Sequence, residues 1–296
     1  MKVLIQHNFT SGLGDFIADV SHYLTILKEL KNEGYEIHLR ISLRGNKYTN
    51  GSFFRKLFSE ETCSFFDSIE EVQDTIREKN FNEYTYHSSN HSPQSPGYHH
   101  FDIFFDVPPT EQLKYKAYDA QRAHLNSLFP DVLVKFSDNV LSRVESFWKQ
   151  LPEDYYFLHI RTSDIIDGDT SRYDRIINNI KKYIEETKCN FHLGTNNKHI
   201  YNNLKGHKNI FLYEFKNYDL VNNDMNAFTN GWDNKNIETD VLTERMFDIC
   251  AEIISIQKAS KIYFLHDISW ISNFLFYPIC VRKNKIELIN KNIWSN

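Results

Sequence analysis

Cysteine is scarce in this chain, four in 296 residues, and Cys63, Cys189, Cys250 and Cys280 stand apart with no C-x-x-C spacing. A zinc ribbon or a dithiol redox pair needs that spacing, so both are excluded and four reduced thiols are expected. An excess of positive charge is also missing. Lys and Arg number 34 against 39 Asp and Glu, a formal net charge of -5, which leaves no generic attraction to a nucleic-acid duplex or an anionic membrane. No apolar run approaches the roughly 18 residues of a membrane span. The opening MKVLIQHNFT has one lysine and three consecutive apolar residues, too few for a signal-peptide core, so a soluble cytoplasmic protein is expected. Solenoid repeats, heptads, a G-x-S-x-G elbow and a Ser-His-Asp order are absent as well.

Hydrophobic residues make up 41% of the chain and aromatics 15%, enough for two cores, and the length favours two domains. The first half opens as a β-α-β unit: KVLIQ as a strand, the turn TSGLGD, a helix to about Asn32, and EIHLRISL as the next strand. Ile17, Val20, Leu24, Leu27 and Leu30 recur at helical spacing, and Gly34 stops the helix. A mainly helical stretch over 52–79, a strand near Tyr84, a strand FDIFFDV and helices over 110–128 and 138–150 complete this half. Pro152 marks the boundary, giving domains 1–150 and 151–296. Beyond it strands end at Ile160, in CNFHLGT, in NIFLYEF and in KIYFL, with helices over 172–187, 198–204 and 239–259 and a short one near Trp270. Strands alternating with helices twice over predict an α/β fold of two doubly wound, Rossmann-like halves facing a cleft.

Two motifs lie where such folds bind ligands. YYFLHIRTSD, Tyr155 to Asp164, is an apolar strand that ends in His159, Arg161 and Asp164, and ligands gather at the carboxyl ends of parallel strands. Two readings are open: a local Arg161–Asp164 ion pair, or a binding site. GLGD, Gly12 to Asp15, joins the first strand to a helix whose N-terminus can take anions or sugar hydroxyls. Ile17 replaces the third glycine of G-x-G-x-x-G, so a dinucleotide is disfavoured, and Asp15 serves equally as a helix cap. The D-x-D at Asp167 to Asp169 and the cluster His87, His91, His99 and His100 are the weaker candidates for a metal, and no metal site is expected.

A series of three strand ends then sharpens the reading: HIRTSD, the strand end Gly194, Thr195, Asn196, and the helix, strand and Ser/Asp-rich loop from Asp248 to Asn273. In this order they resemble the GT-B fucosyltransferases that use GDP-fucose, the α1,6-, α1,2- and protein O-types and the rhizobial nodulation enzyme. That resemblance implies a GT-B-like fold and inverting transfer of a sugar, fucose foremost, from a GDP-sugar to a glycan acceptor with no required cofactor or metal. It implies that Arg161 clamps the diphosphate and His159 lies against the guanine. Glu252, with Asp248 as the alternative, would accept from the base. Gly12 and Gly14 form the opening loop. Asp164, Thr195, Asn196, Asp267, Ser269 and Ser272 complete the nucleotide site, and Asp15 is the candidate base. Asn196 stands where the family carries Asp, Thr162 where many relatives carry a second basic residue, and the serines of the third loop are spread apart. A heptosyltransferase-like enzyme using ADP-heptose and a non-catalytic glycan or sugar-nucleotide module are the alternatives.

Overall fold

A computed structural model of the chain describes residues 1–8, 13–42, 53–72, 85–86, 101–117, 130–160, 170–195, 197–214, 239–265, 273–282 and 287–290. The chain divides into two compact units, Met1–Asn139 with Lys235–Thr243, and Val140–Asn234 with Glu244–Asn296. Each holds one five-stranded sheet among the described residues. No described helix is long and apolar enough to cross a membrane, and all four cysteines are free.

The first unit is built on β1 (Lys2–Asn8), β2 (Glu36–Ser42), β3 (Ser68–Val72), β4 (Thr85–Tyr86) and β5 (Phe101–Phe105), in the order β3-β2-β1-β5-β4. The helix after β1, α1 (Leu13–Asn32), buries Ile17, Val20, Leu24, Leu27 and Leu30 to 1% exposure or less, as their spacing predicts. Gly34 ends it at φ 83°, a left-handed conformation open to glycine at no steric penalty. Two differences from the sequence reading stand out. The stretch over 52–79, expected to be mainly helical, forms two short helices, α2 (Phe53–Leu57) and α3 (Glu60–Cys63), and then β3. Phe54 and Phe58 gather with Phe16 and Phe66 in an aromatic cluster, while the acidic β3 is drawn into the sheet by backbone pairing with β2 and an ion pair from Arg40 to Glu70 at 2.6 Å. Second, β5 runs antiparallel to β1 and β4 to β5, so only β1, β2 and β3 are parallel.

The second unit is parallel throughout: β6 (Tyr156–Ile160), β7 (Phe191–Thr195), β8 (Ile210–Leu212), β9 (Lys261–Leu265) and β10 (Glu287–Asn290), ordered β10-β9-β6-β7-β8. Its helices are α4 (Asp138–Trp148), α5 (Thr170–Thr187), α6 (Lys198–Leu204), α7 (Thr239–Ser255) and α8 (Phe276–Arg282). The alternation along β6 sorts them. Leu158 and Ile160 pack with Ile176, Ile180 and Ile184 of α5 and Ile200 and Leu204 of α6. Phe157 packs the other way, with Ile256 just after α7 and Leu275 just before α8. Helices on both faces of a parallel sheet make this unit doubly wound. From β6 the chain winds outward through β7 and β8, then returns to the other side of β6 through β9 and β10. The direction reverses between β6 and β9, the switch point outside which such sheets bind ligands.

Candidate functional site

At the carboxyl end of β6, His159 is 7% exposed and lies parallel to two phenyl rings, Phe274 at 5.2 Å and 13° and Phe157 at 6.1 Å and 25°. Stacking on these rings leaves the imidazole little face to lay against a base, so its edge and backbone are the groups placed to meet one. Its register partner on β7 is Gly194. Thr195 follows, half-buried, its hydroxyl accepting from Asn197 N–H at 3.2 Å, and Asn197 in turn caps α6 by accepting from Ile200 N–H at 3.0 Å. The β7–α6 turn is therefore fixed by side-chain caps of the kind that Asn and Thr supply.

Gly194 leaves room for a carboxylate. A Cβ at that position would lie 3.4 Å from Glu252 Oε1 on α7. Glu252 is 6% exposed, and its carboxyl makes no hydrogen bond among the described residues; His192 Nε2 lies 4.0 Å from its Oε1. Burial, then the charge of Asp248, pushes its carboxyl up to about 8. His192 is fully buried and burial lowers it to about 3. Phe147, Tyr155 and Phe157 meet its ring edge-on.

Asp248, one turn earlier on α7, is engaged otherwise. Arg143 of α4 donates to its Oδ1 at 2.6 Å and pairs with Glu244 as well, while the Tyr213 hydroxyl donates to the same Oδ1 at 3.1 Å. Of the two acids expected to meet a base, Glu252 alone presents a carboxyl that no side chain among the described residues hydrogen-bonds.

In the first unit Gly14 and Asp15 sit half-buried in the first turn of α1. One turn on, Asp19 is buried, and burial and then the charge of Asp15 raise its carboxyl well above the usual range. It lies 3.9 Å from Nε2 of His7 at the end of β1, whose ring packs against Phe16, Tyr23 and Phe101. Arg161, Asp164, Gly12, Asn196, Asp267, Ser269 and Ser272 lie outside the described residues, as do Asp167 to Asp169, His87, His91, His99 and His100. Among the described residues no three His, Cys, Asp or Glu side chains group as metal ligands.

Three residues of this arrangement went unassigned from the sequence: His192, Arg143 and Asp19. His192 had one legible signal, a polar residue at an inward position of the otherwise apolar FHL strand. Asp19 had another, an acid within the apolar stripe of α1. Arg143 had none, since its partners lie about a hundred residues away.

No family model and no curated protein sequence matches this chain. Among solved structures it is similar to NodZ α1,6-fucosyltransferase soaked with GDP-fucose, at 10% identity and a TM-score of 0.50 over 95% of this chain and 92% of that one. It is also similar to the fucosyltransferase NodZ from Bradyrhizobium, at 10% identity and a TM-score of 0.49 over 94% and 93%. A mutant of Arabidopsis thaliana FUT1 in complex with GDP gives 10% identity and a TM-score of 0.47 over 99% and 72%. What the likeness to the soaked NodZ enzyme shows is the fold: this chain is an α/β protein with the GT-B-like architecture of that glycosyltransferase.

Proposed function

We propose that the chain is a glycosyltransferase that moves fucose from GDP-fucose to a glycan hydroxyl, with inversion and without a divalent metal. The observation that supports this most is the open carboxyl of Glu252, set beside Gly194 at the carboxyl ends of a doubly wound sheet near its switch point. A nearly buried carboxyl with no hydrogen-bond partner among the described residues is a costly feature unless a ligand completes it. Guanine offers two adjacent N–H donors, from N1 and the 2-amino group, which a carboxylate accepts in bidentate fashion.

In this reading Glu252 accepts from the base and His159 meets it through a ring edge or its backbone. Thr195, Asn196 and Asp164 hold ribose or phosphate oxygens, and Asp267, Ser269 and Ser272 receive the phosphates. Arg161, which follows β6 directly in the chain, stabilises the diphosphate as the bond from sugar C1 to the phosphate oxygen breaks; its planar fork suits a bidentate contact with a developing anion. The acceptor oxygen attacks C1 from the opposite side and gives up its proton to a carboxylate, for which Asp15, with Gly12 and Gly14 shaping the loop before it, is the assigned base.

The test is a thermal-shift panel of GDP-, ADP-, UDP- and CMP-sugars run with and without EDTA. A ligand at 100 times its dissociation constant adds about 2.7 kcal/mol of stability. GDP-fucose is expected to raise the melting temperature above the others in either condition, with transfer surviving EDTA. A preference for an ADP- or UDP-sugar, or transfer that chelation abolishes and manganese restores, removes this reading.

A further inference from the structure

The face of the second sheet that bears Phe157, His192 and Gly194 joins Glu252 to a second buried group. Ser255 Oγ donates its single proton to the Glu252 backbone carbonyl at 2.6 Å. The 3.5 Å contact between Ser255 Oγ and His192 Nδ1 therefore has its proton on the ring nitrogen. A neutral imidazole protonated at Nδ1 leaves Nε2 as an acceptor, and that buried atom has no hydrogen bond among the described residues and lies 4.0 Å from Glu252 Oε1.

Resting on the nucleotide reading above, we propose that free Glu252 is a neutral acid whose proton is directed at His192 Nε2, and that a guanine base is taken up only as that proton leaves for solvent. Binding of a GDP-sugar is thereby coupled to release of one proton. A neutral acid has one oxygen that donates and so clashes with one of the two donors on the guanine edge; the ionised form accepts from both. Glu252 is the specificity-determining group and His192 a positioning residue that holds it in the donating state.

The surroundings favour the neutral acid. On α7 Asp248 lies one turn away, and burial together with its charge pushes Glu252 up to about 8. Burial raises the phenols of Tyr201 on α6 and Tyr213 after β8, with Glu252 the smallest of the causes in each, and burial keeps His192 on β7 neutral. Arg143 on α4 is spent on Glu244 and Asp248, and Arg245 lies two turns back on α7.

The experiment is calorimetric titration of the full chain with GDP-fucose, whose pyrophosphate diester does not titrate between pH 6 and pH 8, in buffers of differing ionisation enthalpy. At pH 7 about 0.9 proton is expected to be released per nucleotide, and affinity should rise about 50-fold from pH 6 to pH 8. Glu252→Gln should bind more weakly at pH 8, with no proton release and a flat pH profile. His192→Leu should move the midpoint of the profile to lower pH, since the acceptor that favours the acid is gone; an unmoved midpoint removes His192 from the proposal. Wild-type binding with no proton release and no pH dependence overturns the coupling while leaving the GDP-sugar reading intact. This readout needs no variant to fold. No GDP-fucose binding at any pH, with an ADP- or UDP-sugar bound instead, overturns both.

Discussion

A Cβ on Gly194 would lie 2.5 Å from Phe157 Cζ and 3.0 Å from its Cε2, and Phe157 is itself fully buried. Gly194→Ala restricts the unfolded chain, a gain of up to about 1 kcal/mol, but it overpacks a rigid core, which typically costs about 1–3 kcal/mol. Because the obstructing atoms belong to a ring with no free side, overpacking wins. The variant should unfold at lower urea and bind nucleotide more weakly, as Glu252 loses its place beside β7. A midpoint equal to wild type would mean that the ring relaxes at no expense. The sequence pointed to this position for a different reason. GTN at a strand end reads as a ribose or phosphate turn, whereas the need for glycine comes from Phe157, 37 residues earlier on the neighbouring strand. Residues at strand ends are legible because apolar runs stop there; what presses on them is not, because the partner sits on another strand.

At the scale of an element, α7 sets Glu244, Asp248 and Glu252 at intervals of four on one side. The resemblance left Glu252 and Asp248 as alternatives, and only the third dimension separates them: Arg143 and Tyr213 claim Asp248 and leave Glu252. This division predicts an asymmetry. Arg143→Ala takes the cation of the pair from the Asp248 carboxylate, 2% exposed, and removing one partner of a buried ion pair costs about 3–5 kcal/mol. Asp248→Asn leaves Arg143 its pairing with Glu244 and keeps an oxygen for Tyr213, so the loss should be smaller. Urea unfolding of the two variants tests the ranking, and an equal or reversed order would show that the bridge does not hold α4 to α7. Strand direction was equally illegible. FDIFF was read as a strand from its apolar run, yet the run carries no sign of polarity, and β5 pairs antiparallel to β1. The helix periodicities of α1, α6 and α7, by contrast, are local, and there the sequence and the structure agree closely.

Over the whole molecule the alternation of strands and helices was legible except at β3 and β10, since most elements carry their period within their own segment, and the α/β architecture follows from that alternation. Charge states were not, because they depend on burial, and two buried groups of the second unit now make a prediction about pH. Glu252 is raised to about 8 from an ordinary 4.5, so between those values the folded chain keeps a proton that the unfolded chain has lost, and stability falls as pH rises. His192 is lowered to about 3 from 6.5; between those values the unfolded chain holds the extra proton, and stability falls as pH drops. From pH 4.5 to 6.5 the two slopes oppose each other and cancel. Above 6.5 only Glu252 acts, and at about 1.36 kcal/mol per unit it removes roughly 2 kcal/mol by pH 8. Trp148 lies half-buried on α4 with its indole N–H donating to Ser255 O at 3.3 Å, so tryptophan fluorescence reads the unfolding of this unit in urea. Glu252→Gln should abolish the alkaline fall, its stability relative to wild type growing by about 2 kcal/mol between pH 6.5 and pH 8. His192→Leu should abolish the His192 part of the acid fall below pH 4.5 and make the alkaline one level off at lower pH. Parallel curves for wild type and Glu252→Gln across that alkaline range would show that the carboxyl is already ionised in the free protein, and the coupling of nucleotide to proton would fall with it.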